Sequence, residues 1–293
     1  SNKKVRMNMK HQKQLFTVLL MSAACMLQAQ RSETLLEKNW KFSKGDFKEA
    51  SQPEFNDTKW ESVVIPHDWA IYGPFDSRND FYSTRIVQDG ETTETPHYGR
   101  TGGLPHAGTG WYRLRFTPAA ADRGKVFFLE FDGVMSRSTV FVNGHDAGGR
   151  PYGYSSFQLD ITRFLEFGTE NVIAVRVANP EQASRWYPGA GIYREARLVI
   201  AEPEHFDWSG IWVFDREADP ERKTATVGIN TRYSGENCCV KLTVSDSSGQ
   251  TLFATSFSGE KTEFPLSGLR FWTPETPELY TFHFTLIRDG EQK

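Results

Sequence analysis

The feature that most constrains the fold of this chain is its succession of short apolar segments separated by turn residues. Typical segments are WYRLRF at 111–116, KVFFLEFD at 125–132 and STVFVN at 138–143. Segments of this kind are typical of β-strands, and Asn143-Gly144 after the third one is a strong hairpin signal. No run of helical period exceeds about two turns. The sequence therefore predicts an all-β protein that begins with an antiparallel β-sandwich of jelly-roll type.

A second unit begins after Ala201, where Glu202-Pro203 is a natural boundary. Roughly seven short strand patterns follow it, which is typical of an immunoglobulin-like sandwich. We therefore predict a jelly-roll domain at 31–202 and an immunoglobulin-like β-sandwich at 203–293. The prediction leaves open whether the last strand of this sandwich is missing, because the sequence ends close to a hairpin-like turn at Asp289-Gly290.

The first thirty residues have the character of a secretory signal. Residues 9–30 have a basic start, an apolar stretch from Leu15 to Met21 and small residues near Ala29. The apolar stretch is too short to span a membrane, so no transmembrane segment is predicted. We expect an exported protein, periplasmic or extracellular, that is cleaved after Ala29, with lipid attachment at Cys25 as the less favoured alternative. Residues 1–8 are interpreted as a cloning remnant or an upstream start.

Composition excludes several classes of partner and site. The net charge is −3, the isoelectric point is near 6.2 and the basic residues are scattered, so a nucleic-acid partner is not expected. Removal of the signal leaves Cys238 and Cys239, which face opposite sides of a strand and are predicted to be free thiols, one in the core and one partly exposed. The cysteine spacing indicates no metal site, and no cofactor is predicted.

Two polar regions of the first unit are candidates for chemistry. His67-Asp68 is either an acid–base pair or a turn cap, and the cap is favoured because aspartate readily bonds to the local backbone. Residues 73–110 are predicted to be a long excursion that closes at 99–106. Arg100 and His106 in it have donors for hydroxyl groups, while a solvated surface loop is an equal alternative.

Two aromatic, glycine-rich segments form the most distinctive part of the sequence. The first spans 151–157 and the second spans 184–194, and a strand predicted from Asn171 to Val177 lies between them. Loops of this composition, joined by one strand, indicate a surface that meets either a sugar or another domain. Packing of Tyr152, Tyr154 and Phe157 against the core or another domain is favoured over a ligand contact.

Six motifs in order resemble the N-terminal sugar-binding domain of glycoside hydrolase family 2. The resemblance covers 34–293, and the similarity is greatest to secreted bacterial β-galactosidases. The second unit looks like the immunoglobulin-like domain of that family, and the first looks like its jelly-roll, galactose-binding-like domain. The motifs are PHDWAIYGPF at 66–75, TGWYRLRF at 109–116, FLEFDGVMSRSTVFVNGHDAG at 128–148, RPYGYSSFQLDIT at 150–162, NVIAVRVAN at 171–179 and SRWYPGAGIYR at 184–194, with WTPETPELY at 272–280 in the second unit.

The resemblance implies a hydrolase, specifically a retaining glycosidase with two catalytic glutamates on a (β/α)8 barrel. Those carboxylates must lie about 5 Å apart. The βα alternation of a barrel is absent from this sequence, so we assign no catalytic residue and expect the stretch alone to be inactive. Glu130, Glu166 and Glu195 are not candidates, because each lies in or beside a strand.

The resemblance also implies that loops of the first domain reach the rim of the barrel site. The matching positions are Arg185, Trp186 and Tyr187, which we predict to be substrate-binding: the aromatic faces suit a pyranose ring and the guanidinium suits its hydroxyls. The alternative is that Trp186 packs at the sandwich edge while Arg185 pairs with a carboxylate. Relatives often carry an acidic or amide residue just before this tryptophan, whereas this chain has Ser184-Arg185.

The sequence is therefore interpreted as the non-catalytic N-terminal portion of a family 2 β-galactosidase acting in carbohydrate catabolism. Its expected partners are a carbohydrate substrate and the catalytic barrel of the full-length chain, and the resemblance allows a homo-oligomer. A stand-alone carbohydrate-binding or adhesive sandwich is the alternative from another class. A β-glucuronide or a β-mannoside is the alternative substrate, since the barrel sets that preference.

Overall fold

The computed structural model describes residues 31–97, 102–181 and 189–293, which contain nineteen strands and five 3-10 helices. The first unit contains β1 (Arg31–Leu35), β2 (Trp40–Lys44), β3 (Glu61–Val63), β4 (Tyr82–Gln88), β5 (Glu91–His97), β6 (Gly108–Phe116), β7 (Val126–Phe131), β8 (Ser138–Val142), β9 (His145–Arg150), β10 (Phe157–Asp160), β11 (Asn171–Asn179) and β12 (Ala196–Ala201). The second contains β13 (His205–Asp219), β14 (Thr224–Ser234), β15 (Cys238–Ser245), β16 (Thr251–Phe257), β17 (Lys261–Ser267), β18 (Thr281–Arg288) and β19 (Glu291–Gln292). The 3-10 helices are Lys48–Ser51, Trp69–Tyr72, Ser77–Asp80, Ala120–Asp122 and Thr162–Phe164.

The first unit is a sandwich of two sheets. Their strand orders are β1-β12-β7-β10 and β3-β2-β6-β11-β8-β9, and the pairings within them are antiparallel. Alternate residues of β7, such as Phe127 and Leu129, are fully buried between the sheets, where they meet Ile173 and Val175 of β11. This alternation follows from the two-residue period of a strand. The predicted all-β fold with an N-terminal sandwich is confirmed.

The outer face of the larger sheet carries a second, smaller core. Residues 47–60 cover this face, and Arg113 of β6 is fully buried beneath them. Its Nε lies 2.8 Å from Asp57 Oδ2, and its remaining donors reach the backbone carbonyls of Ala50, Gln52 and Pro53. A buried charge requires such complete pairing. The arginine therefore fastens the covering segment to the sheet.

The expectation of one long irregular excursion at 73–110 is wrong in part. Residues 82–97 form the hairpin β4–β5, whose turn at Asp89 and Gly90 has φ values of 53° and 82°. Asp-Gly is a strong signal for this turn. The strands were missed because the hairpin buries little: Ile86 and Val87 are 58% and 67% exposed, so no alternation between buried and solvent-facing sides shaped the sequence.

The second unit is also a two-sheet sandwich. Its sheets have the orders β13-β14-β17 and β16-β15-β18-β19, and the seven strands match the number expected. Val227 and Ile229 of β14 pack against Leu242 and Val244 of β15 across the interior. Cys238 is buried, Cys239 is half-buried and both are free, as predicted.

Residues 202–205 form the junction of the two units. The rings of Phe128 in the first unit and His205 in the second lie 5.4 Å apart. Lys125 Nζ lies 3.8 Å from a Glu202 carboxylate oxygen within the first unit, and Arg288 pairs with Glu204 within the second. The boundary between residues 202 and 203 stays a prediction.

No helix in the described ranges is long and apolar enough to cross a membrane, and residues 1–30, with the predicted signal and Cys25, lie outside those ranges.

Candidate functional site

A hollow of about 380 Å³ opens at one end of the larger sheet of the first unit. It lies where β6 begins and β11 ends, because these strands pair Gly108 with Asn179 and Thr109 with Ala178. Glu181, three residues before the second aromatic segment begins, also lines it. The hollow therefore lies at the end of β11, close in sequence to that segment.

Asn179 organises this end of the sheet. Its side chain is buried, its Nδ2 donates to the carbonyls of His106 and Gly189 at 3.0 and 2.9 Å, and its Oδ1 accepts from Ser136 Oγ. Residues 181 and 189 flank the loop that carries the predicted sugar contacts. One buried amide thus fixes the return of that loop against the start of β6.

The segment after the loop is held rigidly. Trp69 N donates to the carbonyl of Ala190 at 3.0 Å, and Met135 and Gly191 exchange two backbone hydrogen bonds of 2.9 Å. Gly191 has a φ of 112°, and a Cβ there would collide with the Tyr112 hydroxyl and lie 2.8 Å from the His67 carbonyl oxygen. Only glycine fits this close approach. At this position, the glycine of the motif is therefore required for close packing.

His67 and Asp68 do not form an acid–base pair. Asp68 Oδ1 accepts from Ala70 N at 2.9 Å and caps the 3-10 helix Trp69–Tyr72, as the favoured interpretation predicted. His67 is buried, and its Nδ1 lies 2.8 Å from the Tyr112 hydroxyl. Burial lowers the pKa of His67 and raises that of Tyr112 well above its usual value. Burial therefore favours the neutral form of both rings.

Arg137 links this hollow to a second one. The second hollow, of about 410 Å³, runs along β8 and β9 to Pro151, and Arg137 lines both. The arginine is exposed, has a φ of 42°, and its guanidinium makes no hydrogen bond or ion pair with any residue in the described part of the chain. Its donors are therefore directed to solvent or to a ligand beside the first aromatic segment.

The two aromatic segments meet in space. Tyr193 Oη donates to the carbonyl of Gly153 at 3.0 Å, and burial raises the pKa of Tyr193. Phe157 is buried and stacks on Phe131 with 5.2 Å between ring centroids, so its predicted packing role is confirmed. Tyr152 is 60% exposed with its ring 5.4 Å from that of Tyr154, so among the described residues it is a surface group, not a core one.

The predicted substrate-binding residues Arg185, Trp186 and Tyr187 lie outside the described residues, as does Arg100. The role of the three stays a prediction. His106 is described and is buried, with its ring beside the carbonyl of Leu104, so it does not offer donors on an exposed loop as one interpretation held.

Two of the carboxylates we set aside as catalytic candidates belong to ion pairs. Glu130 is buried and accepts from Arg31 and Gln158, and Glu195 pairs with Arg197. Glu166 uses its backbone to hold the Asn171 side chain.

Within the described ranges, no group of three or more histidine, cysteine or acidic residues could hold a metal ion.

Comparison with family models identifies the class of protein to which these sandwiches belong. The model of the sugar-binding domain of glycosyl hydrolases family 2 matches residues 34–214, and a second model of glycosyl hydrolases family 2 matches residues 212–293. The first match alone covers more than half of the chain. The chain belongs to glycoside hydrolase family 2.

Individual relatives agree with this assignment. The chain is 36% identical to the β-galactosidase BoGH2A of Bacteroides ovatus over 274 residues, which cover 89% of this chain and 30% of the relative. It is 30% identical to a β-glucuronidase of Formosa agariphila over 220 residues, 68% of this chain and 21% of the relative. The crystal structure of a β-glycosidase from Bacteroides vulgatus superposes with a TM-score of 0.73 at 31% identity, covering 89% of this chain and 32% of that one.

The chain thus spans between 21% and 32% of the length of these relatives, and it corresponds to their N-terminal portion. Sequence reasoning found the aromatic segments but missed Asn179 and Arg137. A polar residue at the end of a strand was the available signal for Asn179. Nothing in the sequence indicated that Arg137 faces both hollows.

Proposed function

We propose that this chain is the non-catalytic N-terminal portion of a family 2 β-galactosidase, and that the hollow at the end of β6 and β11 contributes to the substrate pocket. The observation that carries this proposal is that Asn179, which lines a hollow of about 380 Å³, bonds to Gly189 on the far side of residues 182–188 and to His106 just before β6. A cavity of this size suits one sugar unit with a few fixed polar groups.

The proposed division of labour places the chemistry outside the two sandwiches. A retaining glycosidase needs two carboxylates about 5 Å apart, and the acidic residues set aside above serve ion pairs or turns. The full-length protein that carries this chain should hydrolyse an aryl β-galactoside, while the 293-residue chain should not. Hydrolysis by the 293-residue chain itself would contradict the proposal.

A β-glucuronide is the second substrate candidate. It is favoured by the similarity to the Formosa agariphila β-glucuronidase and by the guanidinium of Arg137, which has no partner among the described residues and suits a carboxylate. Comparison of kcat/KM for aryl β-galactoside and aryl β-glucuronide by the full-length protein separates the two candidates. A higher value for the glucuronide would replace the galactoside assignment.

Arg137 provides the sharper test of the hollow itself. In the full-length protein, Arg137→Ala should raise KM several-fold with little change in kcat, which is the signature of lost uniform binding. Arg222→Ala is the matched control, because Arg222 is an exposed arginine of the second unit. Equal effects of the two substitutions would remove the hollow from the proposed substrate pocket.

Arg185, Trp186 and Tyr187 are proposed to complete the same pocket. The support is that residues 181 and 189, which flank their loop, lie at the hollow and against Asn179. Trp186→Ala should raise KM in the full-length protein and leave the melting temperature unchanged. A melting temperature lowered by several degrees would instead identify Trp186 as a core residue.

Export is the remaining part of the proposal, and it is supported by the signal-like composition of residues 9–30. Expression in a Gram-negative host should deliver the protein to the periplasm with a new N-terminus at Gln30. N-terminal sequencing and membrane fractionation test this. Membrane association that Cys25→Ser abolishes would favour the lipoprotein alternative.

A further inference from the structure

The outer face of the sheet β13-β14-β17 carries an organised set of side chains. Strand register places Trp212, Asn230 and Lys261 in one row across the three strands. The neighbouring residues Val213 and Ile229 point the other way and pack into the core of the second unit. Because side chains alternate along a strand, the row from Trp212 to Lys261 faces solvent.

Two aromatic rings form a platform on this face. Trp212 is 61% exposed, and its ring centroid lies 4.7 Å from that of Phe214 at an interplanar angle of 35°. Phe214 lies across Gly228, where an added Cβ would come within 2.5 Å of two of its ring atoms. The glycine therefore leaves room for the phenylalanine ring to lie close to the sheet. The guanidinium of Arg216 lies over the Phe214 ring at 5.5 Å from its centroid and pairs with Glu263 at 2.7 Å.

A hollow of about 320 Å³ adjoins the platform. It exists because the pairing of β13 with β14 is irregular between Phe206 and Ile211. Ser209 there has a φ of 50°, and a Cβ on Gly210 would come within 2.5 Å of the Arg232 carbonyl oxygen. The irregular segment leaves a recess beside Trp212.

The polar side chains around the recess are available to a ligand. The side chains of Asn230, Arg232, Glu260 and Lys261 line it, and in the described part of the chain none of them has a hydrogen bond or an ion pair with another side chain. Together they present an amide, two cations and one carboxylate. Donors and acceptors are therefore both available within one recess beside an exposed indole.

This combination selects among ligand classes. An apolar partner would leave four polar groups without partners, and an anion would be attracted by Arg232 and Lys261 but repelled by the Glu260 carboxylate. A neutral sugar ring fits both parts: its C–H face packs on the electron-rich face of the indole, and each of its hydroxyls both donates and accepts. The recess volume lies near the lower end of the range for small-ligand pockets, about 300–1,000 Å³.

We propose that this face is a carbohydrate-binding site for a neutral glycan chain, with one pyranose ring stacked on Trp212 and its hydroxyls bonded to Asn230 and its charged neighbours. The site is on the second sandwich, whereas the proposed substrate hollow is on the first. The proposal does not depend on the catalytic assignment, because it concerns binding without bond cleavage. Its role would be to hold a polymeric glycan close to the protein.

The test is binding of the 293-residue chain to three soluble neutral polysaccharides, pectic galactan, xyloglucan and glucomannan. Calorimetry measures affinity, and mobility in polysaccharide-containing native gels provides a second readout. We expect binding to at least one of them and a loss of affinity of about tenfold or more in Trp212→Ala, as for a central aromatic contact. The matched control is Trp272→Ala, since Trp272 is a tryptophan of the same unit that is 58% exposed, and it should bind as the unchanged chain does.

A second variant tests whether the Phe214 ring, which forms the platform together with Trp212, is also needed for binding. Gly228→Thr should displace Phe214, and with it the ring of Trp212, and weaken binding while the circular dichroism spectrum stays that of the folded chain. Arg222→Ala, at an exposed arginine of the same unit that does not line the recess, should bind the polysaccharide normally.

Four outcomes overturn the proposal. These are binding to none of the three polysaccharides, equal binding by Trp212→Ala, binding only to anionic polygalacturonate, and concentration-dependent dimerisation that Trp212→Ala abolishes. The last result would assign the face to a second copy of the chain.

Discussion

Among the described residues, most tryptophans of the first sandwich are buried and those of the second are exposed. In the first unit Trp40 and Trp111 are 0% and 1% exposed. Trp40 belongs to the core between the two sheets, and Trp111 belongs to the smaller core on the outer face of the larger sheet. In the second unit Trp208, Trp212 and Trp272 are 39%, 61% and 58% exposed. Buried tryptophan contributes to stability through its large contact area. Exposed tryptophan contributes little to folding and is available to a ligand.

The two units also differ in whether their cores contain buried charged side chains. The first buries Arg113 completely and neutralises it with Asp57. The buried residues of the second core are almost all aliphatic or phenylalanine. We infer that the first unit depends on a specific polar arrangement, while the second depends on hydrophobic packing and leaves its polar side chains on the surface.

The largest expected effect that tests this contrast comes from Trp40→Ala. The ring is fully buried, and its Nε1 donates to the carbonyl of Leu36 at 2.7 Å. Loss of a buried aromatic ring costs about 3–5 kcal/mol. Calorimetric unfolding should show the transition of the first unit at a much lower temperature while that of the second is retained. A change below 1 °C would show that the burial of tryptophan does not distinguish the units.

Asp57→Asn should be the next largest change. It preserves size but leaves Arg113 without its buried counter-charge, which costs about 3 kcal/mol. Chemical denaturation measures the loss. Asp76→Asn is the control, because Asp76 pairs with the exposed Arg78, and it should leave the unfolding midpoint unchanged. Similar midpoints for both variants would argue against a dependence on the buried pair.

Acid should destabilise the first unit through Asp46. A hydrogen bond from Arg176 lowers the pKa of Asp46 from 3.8 to about 2. A carboxylate with a lowered folded-state pKa stabilises the protein above its unfolded pKa, and this stabilisation is lost as the pH falls towards the folded value. Thermal melts between pH 5 and pH 2 should show a decline below about pH 4 that is smaller in Asp46→Asn. An identical pH profile in the variant would contradict this assignment.

The pKa of Asp57 also lies below its usual value, and this shift has opposing causes. Burial raises it, and hydrogen bonds from Arg115 and Arg113 lower it by more. The buried pair should therefore weaken in the same acid range and add to the decline.

The smallest expected effect on stability is that of Trp212→Ala. Exposed substitutions usually change the free energy of unfolding by no more than about 0.5 kcal/mol. The melting temperature of the second unit should therefore stay within a degree or two of its original value, even where glycan binding is lost. A shift as large as that of Trp40→Ala would reveal a packing role for Trp212.

Much of the fold could be predicted from local patterns. Alternation predicted the strands of both sandwiches, and Asn143-Gly144 predicted a hairpin whose φ values of 50° and 82° confirm it. The hairpin at 82–97 was missed because its strands bury little, so no regular burial pattern was imposed on them. The site was predicted only in outline, since the pairing of Asn179 with His106 and Gly189 joins residues that lie 73 and 10 positions apart.

The sequence by itself determined the all-β class, the number of strands in the second unit, the free thiols and the family. These properties follow from residue type and short-range periodicity. Only the tertiary structure decided that the two aromatic segments meet through Tyr193 and Gly153, that Arg137 faces two hollows, and that Trp212 lies on a solvent-facing platform. The physical reason is that such properties depend on sheet register and on the direction of each side chain, which contacts between distant residues set.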